Sequence, residues 1–166
     1  MLTLLLVEDQ QLIRQGLSAL LSLEPDITIQ AEAETGKLAL EHLGKLAPEE
    51  LPDVALMDLR MPIMDGIATT EVITQRYPSI KVLVLTTFDD DELITQAMAV
   101  GAQGYLLKDT PSEELADAIR TVARGYSQFG PGIVQKMMAA QTFQAKGPRD
   151  QDAELVAILA SLTPRE

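Results

Sequence analysis

Cysteine is absent from this chain of 166 residues, and histidine occurs once, as His42. Without a thiol the chain can form neither a disulfide framework nor a thiolate zinc site, and it offers no cysteine nucleophile. A single histidine is likewise too few for a zinc site built from histidine ligands. Thiol chemistry and the common zinc sites are therefore excluded.

Long hydrophobic runs are also missing. The longest apolar stretches have only the length of a β-strand, so no segment is predicted to span a membrane. The apolar run after Met1 has no basic region before it and no small-residue cleavage site after it, which favours a first strand over a signal peptide. Together with the absence of cysteine, this pattern predicts a cytoplasmic protein.

Basic residues are scarce and dispersed. The chain has 13 lysines and arginines against 25 aspartates and glutamates, which gives a net charge of −12. Because nucleic acid repels such a chain unless its basic residues cluster, we expect this polypeptide alone to bind DNA poorly. Its hydrophobic content of 46% is nevertheless typical of a folded globular chain.

The sequence does contain an alternation of short apolar runs and amphipathic helical patterns. The runs lie at 4–7, 27–33, 54–57, 82–85 and 105–107. The first, third and fourth are almost continuously apolar, as in parallel strands buried on both faces, whereas the second alternates like a half-covered strand. This pattern predicts an α/β fold, a doubly wound five-stranded parallel sheet with the flavodoxin-like order 2-1-3-4-5.

Two helix starts can be placed from local motifs. Asp65-Gly66 is predicted to open the third helix. The segment Thr110-Pro111-Ser112-Glu113 is typical of a capping box with proline at the first helical position. We therefore expect Thr110 to cap the fifth helix.

Polar side chains follow four of the five predicted strands. They are Glu8 and Asp9 after the first, Asp58 after the third, Thr86 after the fourth and Lys108 after the fifth. In the expected order the first and third strands are neighbours, so three carboxylates converge and repel one another. A hard divalent cation such as Mg²⁺ relieves this repulsion. With a cation and an ammonium beside it, a carboxylate can attack a phosphoryl group.

This ordered set of residues resembles the receiver domains of bacterial response regulators over residues 1 to about 125. The matching motifs are Glu8-Asp9, Asp58 with Met61-Pro62 and Asp65-Gly66, Thr86, and Tyr105 with Lys108. The stretches 86–92 and 104–109 look most like the NarL/FixJ branch, whose members carry a LuxR-type helix-turn-helix output domain.

The resemblance implies a phosphorylation site and a metal site. Asp58 would be the phosphorylated residue. Glu8, Asp9 and Asp58 would hold Mg²⁺ or Mn²⁺ directly or through water, with the backbone carbonyl of Arg60 as a further ligand. No organic cofactor is implied.

The resemblance also implies a switch. Thr86 would bond a phosphoryl oxygen, Lys108 would pair with the phosphoryl group, and Tyr105 would change rotamer as Thr86 moves. Many receivers follow this lysine with a cis proline, but here Asp109 occupies the position. Because a cis bond without proline costs about 3 kcal/mol, the isomer of the 108–109 peptide stays open.

The partners implied by the resemblance follow from these roles. A sensor histidine kinase would supply the phosphoryl group, and the phosphorylated protein would form a homodimer. The domain would act as a signalling phosphoacceptor that takes part in its own phosphotransfer and slow dephosphorylation, not as an enzyme. DNA would be bound only through the output domain, and no membrane contact is expected.

The far end of the chain predicts two further segments. We expect a receiver domain at 1–126, a helical linker at 127–161, and the first residues of a missing helix-turn-helix DNA-binding domain at 162–166. Thr163-Pro164-Arg165-Glu166 has the features of a helix start, and a helix nucleus without its helix has no stability of its own. A natural chain with a coincidental ending is the alternative.

Two other functions lack the residues that they need. A haloacid-dehalogenase type phosphatase needs a second acid two residues after its nucleophile, where this chain has Arg60. A flavodoxin-like nucleotide binder needs phosphate-binding donors after the first strand, where this chain has Glu8-Asp9. Glu8-Asp9 as a plain helix cap, and a receiver that dimerises without phosphorylation, remain as alternatives.

Overall fold

The computed structural model describes residues 1–87, 90–130, 132–136 and 138. The chain divides into two compact units, Met1–Gly130 and Pro131–Glu166, and residues 133–136 of the second are helical. Most of the predicted linker at 127–161 and all of the predicted domain start at 162–166 lie outside the described residues, so these boundaries stay predictions. Within the described part of the chain, no helix is long and apolar enough to cross a membrane.

The first unit is built around one parallel sheet. Its strands are β1 (Leu2–Val7), β2 (Ile27–Ala33), β3 (Val54–Met57), β4 (Lys81–Thr86), β5 (Gly104–Leu107) and β6 (Gln128–Phe129). Its helices are α1 (Gln11–Leu21), α2 (Gly36–Gly44), α3 (Gly66–Arg76), α4 (Asp91–Ala99) and α5 (Ser112–Ala123), with one 3₁₀ turn at Pro48–Glu50. The strand order β2-β1-β3-β4-β5-β6 confirms the predicted α/β fold and its central order.

The sheet has six strands where five were predicted. The two residues of β6 pair in parallel with β5, with Phe129 opposite Tyr105, and they fall in the segment predicted as helical linker. A strand of two residues is too short to show a periodicity. The pairing also depends on Gly104, because a Cβ there would lie 2.4 Å from the carbonyl oxygen of Gln128.

The core lies on both faces of the sheet, which explains the continuous apolar runs. Leu4 and Leu6 of β1 pack with residues of α1 and α5, whereas Leu5 and Val7 of the same strand pack with residues of α2 and α3. All four side chains are at most 1% exposed. Burial of each such side chain contributes about 1.5–3 kcal/mol, so both helical layers are held to the strands by the hydrophobic effect.

The two predicted helix starts had different outcomes. The carboxylate of Asp65 caps α3 and accepts the N–H of Ala68 at 2.8 Å, as expected for an N-cap. The capping box at Thr110 was a wrong prediction. Pro111 is the N-cap residue of α5, and the hydroxyl of Thr110 instead donates to the carbonyl oxygen of Leu107 at 2.6 Å.

Candidate functional site

Three carboxylates meet at the carboxyl edge of β1 and β3. These strands pair with Val7 opposite Met57, so Glu8 and Asp58 follow at adjacent strand ends. Asp58 continues the ladder by donating its N–H to the carbonyl of Val7 at 3.0 Å. One carboxylate oxygen from each of Glu8, Asp9 and Asp58 lies within 4.8 Å of the others. The predicted convergence of the three acids is therefore observed.

Glu8 is held by two partners inside the fold. Its side chain is almost completely buried, its Oε1 lies 2.6 Å from Nζ of Lys108, and its Oε2 accepts the N–H of Gln10 at 3.1 Å. Gln10 is itself the N-cap residue of α1, and its own side chain makes no capping bond. One oxygen of the Glu8 carboxylate thus lies against the strand-end lysine, while the other accepts an N–H at the start of α1.

Asp58 is a buried acid with a perturbed proton affinity. Its Oδ1 accepts the N–H of Leu59 at 2.9 Å, and its Oδ2 lies 3.5 Å from Nζ of Lys108. Burial, and then the nearby Glu8 carboxylate, raise the pKa of Asp58 to about 6, although the Lys108 ammonium pulls it down. The carboxylate is therefore poorly compensated when ionised, which makes it receptive to further positive charge.

Lys108 lies between two of the acids. Its backbone N–H donates to the carbonyl of Thr86 at 2.9 Å, which places it directly after β5 and beside the end of β4. Its ammonium is nearer to Glu8 than to Asp58, at 2.6 Å against 3.5 Å. The peptide bond from Lys108 to Asp109 is trans, which answers the isomer question that the sequence left open.

Thr86 and Tyr105 lie on the same face of the sheet. In the pairing of β4 with β5, Tyr105 lies opposite Val84 and Thr86 lies opposite Leu107, so the two side chains project to one side as diagonal neighbours. Both residues are fully buried. On one face, a movement of Thr86 can change the space that is open to the Tyr105 ring. The switch roles of both residues stay predictions.

The first residue of α3, Gly66, packs against the backbone of Asp58 and Leu59. Gly66 donates its N–H to the carbonyl of Leu59 at 2.8 Å, and a Cβ at this position would lie 2.1 Å from the carbonyl oxygen of Asp58. Only glycine allows this approach. In the same loop Ile63 has a φ of +70°, an unusual conformation for a β-branched residue, and its side chain is 82% exposed.

Arg14 is a site residue that the sequence analysis missed. Its Nη1 donates to the backbone carbonyl of Glu8 at 2.7 Å, and its Nε lies 3.5 Å from Oε1 of Glu32. The available signal was a lone arginine on α1, six residues after the first strand-end acid and next to apolar residues. Arg60 follows Asp58 in the β3–α3 loop with an exposed side chain, and the ligand role of its carbonyl stays a prediction.

The donor set fits a small, hard divalent cation. Carboxylate oxygens are the ligands that Mg²⁺ prefers, and Mn²⁺ accepts the same set. Both oxygens of Glu8 already have partners, so this residue fits a ligand acting through water, whereas Asp9 is partly exposed and Asp58 has an incompletely compensated charge. The arrangement can therefore hold a cation beside a carboxylate that also faces an ammonium.

Known proteins give a consistent comparison. The sequence profile of the response regulator receiver domain matches residues 4–120. The chain is 37% identical over 166 residues to transcriptional regulatory protein LnrK of Bacillus subtilis (strain 168). This alignment covers 100% of the chain and 74% of LnrK. It is 40% identical over 133 residues to response regulator protein VraR of Staphylococcus aureus (strain NCTC 8325 / PS 47), which covers 80% of this chain.

The chain spans only 62% of the length of VraR, less than two thirds. Among solved structures, it is similar to the signal receiver domain of a response regulator assigned as NarL from Mycobacterium tuberculosis, with a TM-score of 0.69 and 34% identity. That similarity covers 75% of this chain and 97% of the other. The similarities thus concern the same sheet and strand ends that hold the candidate site.

Proposed function

The chain belongs to the response regulator receiver domain family, among regulators of the NarL and LuxR type, and on this premise we propose that Asp58 is its phosphoacceptor. One observation carries the proposal. The Asp58 carboxylate is buried at the end of β3, with the Lys108 ammonium on one oxygen and two further acids within 4.8 Å. Such a carboxylate can act as a nucleophile. The ammonium, and a cation held by the acids, would neutralise the negative charge of the incoming phosphoryl oxygens.

In the proposed reaction, a carboxylate oxygen of Asp58 attacks the phosphorus of a phosphohistidine. The bond from phosphorus to the histidine nitrogen breaks as the acyl phosphate forms, and the electron pair stays with the donor imidazole. We infer that the donor is a sensor histidine kinase in the cytoplasm. Lys108, which now pairs with Glu8 and Asp58, would turn to a phosphoryl oxygen.

The metal site is proposed on the same residues. Asp9 and Asp58 would bind Mg²⁺ or Mn²⁺ directly, Glu8 through water, and Arg60 through its backbone carbonyl. When bound, the ion neutralises charge on the phosphoryl oxygens. Water would later attack the phosphorus, and release of inorganic phosphate would regenerate the Asp58 carboxylate. The domain thus signals and resets slowly, and acts on no substrate apart from its own phosphoryl group.

The proposed switch uses the face shared by Thr86 and Tyr105. Phosphorylation adds negative charge and acceptor oxygens beside Thr86, whose hydroxyl would donate to one of them. Tyr105 lies fully buried on the same face as Thr86, and phosphorylation would act by raising the population of this placement. The changed surface around α4, β5 and α5 would favour a homodimer, and an output domain joined to it would then bind paired DNA half-sites.

The phosphosite is tested by mass spectrometry of the intact protein after incubation with acetyl phosphate and Mg²⁺. One phosphoryl group should add to the parent and none to Asp58→Asn. Asp53→Asn is the matched control, because Asp53 lies just before the opposite end of β3 and accepts the N–H of Thr3. Phosphorylation that persists in Asp58→Asn, or a stable modification of serine or threonine, would contradict the proposal.

The switch is tested separately with beryllofluoride, which mimics the phosphoryl group. Light scattering should show altered self-association, and amide NMR shifts should change near Thr86 and Tyr105. If phosphorylation of Asp58 occurs but neither readout responds, the site is a phosphoacceptor and the switch proposal fails. Self-association that is equal in the parent and in Asp58→Asn, with or without beryllofluoride, would favour the alternative of a phosphorylation-independent dimerisation receiver.

A further inference from the structure

Arg14 reaches from α1 back to the strand end that carries two of the three acids. Its side chain is only 13% exposed, although it carries a permanent charge. One end of the guanidinium donates to the backbone carbonyl of Glu8 at 2.7 Å, and its Nε lies 3.5 Å from a carboxylate oxygen of Glu32 on β2. The side chain therefore ties the first helix to the turn that precedes it.

The contact with the Glu8 carbonyl has a specific geometrical consequence. That carbonyl belongs to the peptide unit joining Glu8 to Asp9, and a peptide unit is planar. Fixing its oxygen fixes the plane from which the Asp9 side chain starts. The preceding peptide is fixed independently, because Glu8 donates its own N–H to the carbonyl of Ala33 at 3.0 Å. The peptide after Glu8 is thus the one that Arg14 holds in place.

We propose that Arg14 is a positioning residue for the divalent cation pocket. By holding the peptide between Glu8 and Asp9, it keeps the Asp9 carboxylate turned toward Glu8 and Asp58, within the 4.8 Å that the three acids share. The proposal rests on the proposed function, since it deepens the account of the same site. It assigns to Arg14 the part that hydrogen-bonded outer residues play at metal sites, where they orient the ligands.

Charge and position make opposite predictions for this residue. A guanidinium near the acids repels a divalent cation, so if charge alone mattered, removing it would tighten Mg²⁺ binding. If position matters more, removing it frees the Glu8 to Asp9 peptide and weakens Mg²⁺ binding. Outer residues of metal sites typically change affinity by about 10- to 100-fold, which exceeds the effect of one screened charge. The sign of the change in Kd therefore distinguishes the two roles.

The experiment measures the Kd of Mg²⁺ by isothermal titration calorimetry on the unphosphorylated chain. Arg14→Met keeps the apolar stem and should raise the Kd about tenfold. Arg14→Lys keeps the positive charge and an ammonium that can donate to the Glu8 carbonyl, and its Kd should lie between those of the parent and Arg14→Met. Arg76→Met is the control for loss of one positive charge, because Arg76 is an exposed residue at the far end of α3. Its Kd should match that of the parent.

Stability is measured in parallel in EDTA, by urea unfolding. A purely structural arginine would lower the stability of Arg14→Met and leave its Kd for Mg²⁺ unchanged, and this result would overturn the inference. A Kd for Mg²⁺ that is lower in Arg14→Met than in the parent would also overturn the inference, because it would mean that the main effect of Arg14 is charge repulsion. If Arg14→Met does not fold, the shorter and uncharged Arg14→Gln is measured in its place, and a Kd equal to or below that of the parent overturns the inference. A parent that binds no Mg²⁺ would contradict the metal site itself, a result distinct from the others.

Discussion

Replacement of Asp58 by asparagine should stabilise the protein without metal at neutral pH, although it removes the proposed phosphoacceptor. The substitution keeps the shape of the side chain and an acceptor for the Leu59 N–H, whose bond to Asp58 is 2.9 Å. It removes a buried negative charge beside Glu8. Lys108 keeps its nearer partner, since its ammonium lies 2.6 Å from Glu8.

The magnitude follows from the pKa of Asp58, which burial and Glu8 raise from 3.8 to about 6. At about 1.4 kcal/mol per pKa unit, this difference corresponds to a cost of about 3 kcal/mol when the carboxylate is ionised, with the pull of Lys108 already included. Between pH 3.8 and 6 the folded state binds more protons than the unfolded state, so stability falls as pH rises through this window. Above pH 6 the contribution of Asp58 to stability no longer changes with pH.

The assay is urea unfolding followed by circular dichroism in EDTA, at pH 5 and pH 8, for the parent and Asp58→Asn. Lower pH is avoided because the pI is about 4.4. About half of the cost falls between these two pH values, so the advantage of the variant should grow by on the order of 1 kcal/mol from pH 5 to pH 8. Asp53→Asn controls for the loss of one carboxylate next to the opposite end of β3.

Two results would refute this reasoning. An advantage of Asp58→Asn that is equal at both pH values would mean that Asp58 is not desolvated in the folded state. An advantage that shrinks toward pH 8 would mean that Lys108 dominates its environment. Excess Mg²⁺ should cancel most of the advantage of the variant, since a ligand at about a hundred times its Kd adds about 2.7 kcal/mol to the form that binds it.

Two further predictions concern the neighbours of Asp58. Asp9→Asn should reduce the rise in melting temperature with Mg²⁺ while stabilising the metal-free protein, and calorimetry showing an unchanged Mg²⁺ response would remove Asp9 from the site. Gly66→Ala should cost about 1–3 kcal/mol and slow phosphorylation by acetyl phosphate, because its Cβ would lie 2.1 Å from the Asp58 carbonyl oxygen. Gly16→Ala in α1, where a Cβ meets no atom within 4 Å, should be neutral or stabilising; equal behaviour of the two variants would contradict the packing argument.

The strands could be predicted because their signal is local. The segments 27–33 and 54–57 were predicted with the bounds that the structure has. Burial on one face leaves an alternation and burial on both faces leaves a continuous apolar run, and either can be recognised without knowledge of the partner strand. The order of the strands is not contained in this local signal, and it was expected from the flavodoxin-like form of doubly wound sheets. β6 could not be predicted in this way, because two residues are too few to show a hydrophobic pattern. Its pairing with β5 depends on the close approach of the backbones that Gly104 allows.

The Thr110 error and the omission of Arg14 have a common cause. Both residues bond to a backbone carbonyl, that of Leu107 and that of Glu8 respectively. Every residue carries a carbonyl, so the sequence does not indicate which one a side chain will find. The cap at Asp65 was predictable because its partner, the N–H of Ala68, lies three residues away on the same helix.

The sequence by itself determined which residues end the strands, and in a parallel sheet those residues share one edge. From this alone the acids Glu8, Asp9 and Asp58 and the amine of Lys108 could be assigned to one site. Only the tertiary structure decided that Lys108 lies nearer to Glu8 than to Asp58, and that Asp58 is buried deeply enough to raise its pKa to about 6. Distances and desolvation depend on how segments fifty or more residues apart pack together, and no local pattern encodes them.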